Sequence, residues 1–95
     1  MKLKDFEMIE KVDQPGGYQA VLKYGDSLEL SIITGVGAYG GIEGLYEIAT
    51  IKNGEFVHMP GISGEYGVTG FLNEEYIDSI IEKLFYVTGE IPTQI

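Results

Sequence analysis

The chain has no cysteine and no arginine, and a single histidine among its 95 residues. Without cysteine there is neither a disulfide framework nor a thiolate metal site. No EF-hand loop is present, so calcium has no dedicated ligand set. Lys2 and Lys4 are not followed by an apolar run of signal-peptide length, and no stretch approaches the roughly 20 apolar residues that a membrane helix needs. These absences lead to the expectation of a soluble, cytoplasmic protein that carries no metal and no cofactor and does not bind membranes.

Positive charge is also scarce. Fifteen acids face six lysines, for a net charge of −9. The imbalance is uneven: residues 1–24 hold four lysines and four acids, whereas residues 25–95 hold two and eleven, 2 − 11 = −9. Nucleic-acid phosphates bind through cations that replace their counterions, so direct nucleic-acid binding is excluded as an expectation. An anionic membrane is disfavoured for the same reason. A basic protein partner would be attracted, with a salt-dependent on-rate; the alternative is that the charge only keeps a small protein soluble.

What is present is enough for one folded unit. The chain is 44% apolar and 12% aromatic, which separates it from disordered sequences. A chain of this length buries about 60–65% of its unfolded surface, enough for one sheet covered by one helix. A single domain, 1–95, is expected.

Alternation places the strands. Gly25-Asp26-Ser27 separates "YQAVLKY" from "LELSIIT". Pairing Tyr24 with Leu28 sets Leu22 opposite Leu30, Ala20 opposite Ile32 and Lys23 opposite Glu29. One face then carries Tyr18, Ala20, Leu22, Tyr24, Leu28, Leu30 and Ile32, and a slip of one residue would set Leu22 against Glu29. Asn53-Gly54 is a type I′ hairpin signal. It pairs Lys52 with Glu55, Ile51 with Phe56, Thr50 with Val57, Ala49 with His58 and Ile48 with Met59. Both faces of that hairpin carry apolar residues, which implies cover on each side or a place at an interface. "FEMIEKVD" reads as a strand joined through "QPGG", with Val12 opposite Tyr18, Met8 opposite Leu22, Phe6 opposite Tyr24 and Glu7 opposite Lys23. A helix is the alternative there, since Leu3, Phe6, Ile9 and Val12 recur every three residues. The C-terminal helix is the clearest element. Asn73 caps it, Glu74 and Glu75 fill its first turn, and Ile77, Ile80, Ile81, Leu84 and Phe85 form its apolar stripe. Gly89 stops it, and Pro92 lies beyond. The expectation is an α+β domain: an antiparallel sheet of five to six strands, a meander of hairpins, with one C-terminal amphipathic helix on one face.

Residues 35–40 spell G-x-G-x-x-G. A dinucleotide fingerprint requires those glycines to end a strand and open a helix, so that pyrophosphate meets free N–H groups. Here "GIEGLYEIATIKNG" leads into a strand and the Asn-Gly hairpin. A kinase-like glycine loop followed by Lys52 lacks the catalytic loop and metal-binding Asp that phosphoryl transfer needs. The segments "GAYGGIEGL" at 37–45 and "GEYGVTGF" at 64–71 repeat one motif, so the glycines read as bulges and bends at strand ends. Each loop presents a tyrosine, Tyr39 and Tyr66, suited to a contact surface, and the two loops are expected to lie together at one end of the sheet.

Catalytic chemistry is thin. His58 reads as a strand residue flanked by Val57 and Met59, and no serine sits in a nucleophile motif. Glu74, Asp78 and Glu82 line one helix face at i, i+4, i+8. Like charges at that spacing cost a few tenths of a kcal/mol each, which a basic partner would offset. With Glu65, Tyr39 and Tyr66 they form the candidate partner-binding set. The expectation is a non-enzyme. Self-assembly and small-ligand binding at the glycine loops are the alternatives.

The succession "LSIITG", "GAYGG", "GLYEIA" and "GVTGFLNEEYIDSIIEKL" resembles small proteins encoded by bacteriophages and prophages, over about residues 28–84. The resemblance implies a viral or prophage origin, a place in the host cytoplasm, and a role as a binder or inhibitor of a host or phage protein. It carries over no catalytic residue.

Overall fold

Alternating apolar residues between Tyr18 and Ile33 form two long strands in the computed structural model, which describes residues 1–95. Strand β1 is Ile9–Lys11, β2 Gln14–Tyr24, β3 Leu28–Gly35, β4 Tyr46–Lys52, β5 Glu55–Phe56 and β6 Val68–Leu72; helix α1 is Glu74–Thr88, and β7 is Thr93–Gln94. All pairings are antiparallel. The strands β1-β2-β3-β4-β5 follow one another across the sheet. In addition, β7 shares the outer edge of β2 with β1, and β6 shares the outer edge of β4 with β5. The protein is α+β, an antiparallel sheet with a single helix near the C-terminus packed against it.

The β2–β3 register is the one that alternation predicts: Tyr24 faces Leu28, Lys23 faces Glu29, Leu22 faces Leu30 and Ala20 faces Ile32. The resulting face meets α1. Leu22, Leu30, Ile32 and Ile48 of the sheet and Ile77, Ile80, Ile81 and Leu84 of the helix are all buried in one core, with Leu3 and Ile62 closing its sides. Each such aliphatic side chain contributes about 1.5–3 kcal/mol on burial. Asn73 caps the helix by accepting the Tyr76 N–H at 2.8 Å. Gly89 ends it in the left-handed conformation, φ 70°, where an L side chain is strained. Phe85 lies at the edge of the stripe and stays partly exposed.

Three expectations need correction. The N-terminal strand is only Ile9–Lys11, and it pairs Ile9 with Gln19 and Glu10 with Tyr18, two residues away from the predicted register. Leu3–Asp5 is a 3-10 turn instead. The reason is competition for the β2 edge: β7 occupies the stretch opposite Leu22 and Lys23, and the Glu10 carboxylate accepts the Gly16 N–H at 3.0 Å, fixing a bulge. Gln14–Gly17 belongs to β2 rather than to a loop. The Asn-Gly hairpin forms as predicted at Lys52–Glu55 and Ile51–Phe56. Beyond one further backbone bond, Val57 N–H to the Thr50 carbonyl, it opens. Ile48 pairs with Thr69 and Ala49 with Val68, not with Met59 and His58. The Thr50 hydroxyl holds the departing segment, with the Val57 carbonyl and the Ser63 Oγ each at 2.6 Å.

Candidate functional site

The glycine loop after β3 answers the fingerprint question. It joins antiparallel strands through a three-residue 3-10 turn, Gly41–Glu43. Most of its amides are bonded within the fold. Val36 N–H donates to Gly16, Gly41 N–H to Ala38, and the Glu43 and Leu45 N–H groups to Gly40. The Tyr39 N–H donates to Glu47 Oε1 at 2.8 Å. The anion held by this loop is therefore a carboxylate of the protein itself. Glycine is required for close approach: a methyl on Gly41 would collide with the backbone of Gly35.

The predicted contact residues fall into separate places. Tyr39 is 65% exposed on the β3–β4 loop and Tyr66 is 81% exposed on the β5–β6 loop, beside exposed Glu65. The repeated segments 37–45 and 64–71 do meet, with Gly70 against the Tyr39 side chain and Gly40 against Phe71, but the two tyrosines are anchored apart. The Tyr39 carbonyl accepts from Phe71 N–H, while the Gly67 carbonyl accepts from Thr50 N–H. Those points are four residues apart along the β6 segment, about 13 Å of strand. Glu74 and Glu82 are exposed on α1. Glu74 lies near Tyr46, whose phenol is held above the ordinary tyrosine value by burial and then by the Glu74 charge. Asp78 is engaged within the fold, where its Oδ1 accepts the Leu3 N–H at 2.7 Å and ties the N-terminal turn to the helix. Of the three helix carboxylates in the predicted contact set, Glu74 and Glu82 are the two left for a partner.

At the opposite end, a cleft of about 610 Å³ opens between the end of α1 and the β2–β3 turn. Asp26, Glu90, Lys52, His58 and Tyr24 contribute its charged and titratable groups. The His58 Nδ1 lies 2.9 and 2.8 Å from the carbonyl oxygens of Ser63 and Gly64. Carbonyls only accept, so Nδ1 carries the proton and closes its own loop. No group of three His, Asp or Glu side chains converges in the way a metal site requires, and no helix is long and apolar enough to cross a membrane.

The face of the sheet turned away from α1 was only partly legible in the sequence. Register sets its residues in three rows across the strands. The first row is Ile9, Gln19, Ile33 and Glu47. The second is Val21, Ser31, Ala49 and Val68, with Ile95 joined by its N–H to the Val21 carbonyl. The third is Thr93, Lys23, Glu29, Ile51 and Phe56. None of them belongs to the core. Val21, Ile33, Ala49, Ile51 and Val68 are half-buried by their neighbours on the sheet, and Phe56 and Ile95 are 64% and 66% exposed. Only three of these residues are charged, Lys23, Glu29 and Glu47, for a net of 1 − 2 = −1. Three in fourteen is close to the proportion in the chain as a whole, 22% of which is charged. The pattern of alternate apolar residues at Val21, Ile33 and Ile51 was the sequence signal for this face.

No family model, no curated protein and no solved structure matches the chain.

Proposed function

We propose that this is a non-catalytic binding module of bacteriophage or prophage type, acting in the host cytoplasm on a basic protein of host or phage, as an inhibitor where it covers that protein's working surface. The observation that carries this reading is the acidic excess: the chain has a net charge of −9, with eleven acids against two lysines over residues 25–95. An acidic surface of that kind attracts a basic partner over about a Debye length, some 10 Å at 0.1 M salt. Exposed Glu74 and Glu82 on α1, and the exposed Glu65-Tyr66 pair on the β5–β6 loop, supply charge and an aromatic anchor. Tyr39 is a second anchor at a different level of the sheet.

The test is capture from bacterial lysate on the immobilised protein, eluted with rising salt, in parallel with a variant carrying Glu65→Gln, Glu74→Gln and Glu82→Gln. The expected result is one stoichiometric basic protein released at moderate salt and lost from the variant. Equal capture by both proteins, or no basic protein on either, overturns the reading. Asp78 is left untouched because its change would loosen the N-terminal turn.

A further inference from the structure

We propose that Phe71 and Tyr39 form a clamp for an arginine side chain of a basic protein partner, with Glu47 taking the guanidinium charge. The inference rests on the basic-partner reading above and names the chemistry by which such a partner is held. Two non-glycine residues have positive φ, Asn53 and Phe71. Asn53 opens the Asn-Gly turn, where asparagine tolerates that conformation. Phe71 has no such reason, because a bulky side chain at φ 58° is an outlier. It gains little burial in return, since it stays 60% exposed. Strain of this kind gathers at binding sites, where the fold holds a side chain in a place that the local chain would not choose.

The fold holds Phe71 through two interlocking contacts. A methyl on Gly70 would stand 2.5 Å from the Tyr39 Cβ, and one on Gly40 would stand 3.0 Å from the Phe71 ring, so each loop's glycine lies against the other's aromatic residue. The Phe71 N–H donates to the Tyr39 carbonyl at 3.1 Å and joins the pair. Both residues are anchored while both side chains stay largely open, and Ile42, 89% exposed, stands on the same loop as Tyr39.

The occupant follows from charge and shape. Residues 35–47 and 64–76 hold five glutamates and no lysine. Glu47 reaches the pair directly: its Oε1 accepts the Tyr39 N–H at 2.8 Å, which leaves its second oxygen for a partner. These segments offer no cation to a phosphate. A cation with a flat, weakly hydrated head suits them. The guanidinium group stacks on an aromatic face while its edge donates to a carboxylate, whereas an ammonium group is a strongly hydrated point charge. A second copy of the chain cannot supply the group, because the sequence contains no arginine.

NMR of the isotope-labelled protein tests this, by titration with a short peptide of alternating arginine and glycine and with its lysine counterpart of equal charge. The arginine peptide should move the Tyr39 and Phe71 ring signals saturably and bind about three- to fivefold more tightly than the lysine peptide. Phe71→Leu, which keeps apolar bulk and the left-handed backbone but loses the ring, should abolish that preference. Phe71→Gly should abolish it as well, and should melt at or above the wild-type temperature because glycine adopts this conformation freely. Ring signals that ignore the arginine peptide, or equal binding of the two peptides, overturn the proposal. So does a fall of more than about 5 °C in the Tm of Phe71→Gly, which would assign the ring to holding the fold. An arginine preference at these rings with no basic protein captured from lysate keeps the clamp and discards the basic-partner reading. Capture of a basic protein without that preference does the reverse.

Discussion

Tyr24 offers the sharpest test of how the helix is seated on the sheet. Its side chain is buried in the core, and its hydroxyl donates to the Ile81 carbonyl of α1 at 2.9 Å. Burial pushes the phenol pKa far above the ordinary tyrosine value. Since the folded value is raised, the stabilisation is complete below about pH 10, where tyrosine in the unfolded chain begins to ionise, and it is lost as pH climbs toward the folded value. With the folded phenol still protonated, the loss is RT ln(1 + 10^(pH − 10)), about 2 kcal/mol at pH ~11.5. Tyr24→Phe removes one hydrogen bond, worth about 1 kcal/mol at neutral pH, and removes the alkaline liability with it. The two proteins should therefore exchange rank. Wild type is the more stable by about 1 kcal/mol at pH 7, the curves cross near pH ~10.6, and the variant leads by about 1 kcal/mol at pH ~11.5. Tyr46, raised in the same direction, is common to both proteins and cancels in the difference. Urea unfolding at a series of pH values, followed by circular dichroism, gives the curves. Parallel curves across this range would refute the reasoning, because they would mean that the Tyr24 phenolate forms in the folded protein at no added cost.

Other outcomes follow from the same contacts. Asp78→Ala removes the acceptor for the Leu3 N–H and should cost about 1–2 kcal/mol, a fall of roughly 5–15 °C in Tm for a domain of this size. Glu82→Gln on the exposed side of α1 should stay within about 0.5 kcal/mol, and calorimetry that finds the two equal would deny Asp78 its role as a tether. In the glycine loop, Gly41→Ala drives a methyl into the Gly35 backbone and should cost about 3 kcal/mol or prevent folding. Gly44→Ala meets no atom within 4 Å and suffers only from its φ of 81°, about 1–2 kcal/mol. Urea midpoints in the reverse order would show that backbone conformation, not close approach, sets the requirement at this loop.

Much of this fold was legible because local and tertiary preferences agree. The β2–β3 register could be read since the apolar residues from Tyr18 to Ile32, Val21 excepted, fall on one face in one pairing, and a slip sets Leu22 against Glu29. The helix could be read because Asn73, the Ile77-to-Leu84 stripe and Gly89 mark its start, face and end. The candidate site was less legible. Glu74, Asp78 and Glu82 look alike in the sequence, and only the approach of Leu3, seventy-five residues away in the chain, turns Asp78 into a structural acceptor. Glu47 showed no signal at all as the carboxylate that fills the glycine loop.

The sequence by itself determined which residues share a face, because side chains alternate along a strand whatever the strand packs against. It determined the two turns, the helix and the acidic balance for the same local reasons. Only the tertiary structure decided which strands fill the sheet edges. Distant segments compete there for the same backbone groups: β7 takes the β2 edge from the N-terminal strand, and β6 takes the β4 edge from the Asn-Gly hairpin. It also decided which face stays open. One helix of 15 residues covers one side of the sheet, and Val21, Ile33 and Ile51 remain outward because the chain holds no second helix to bury them.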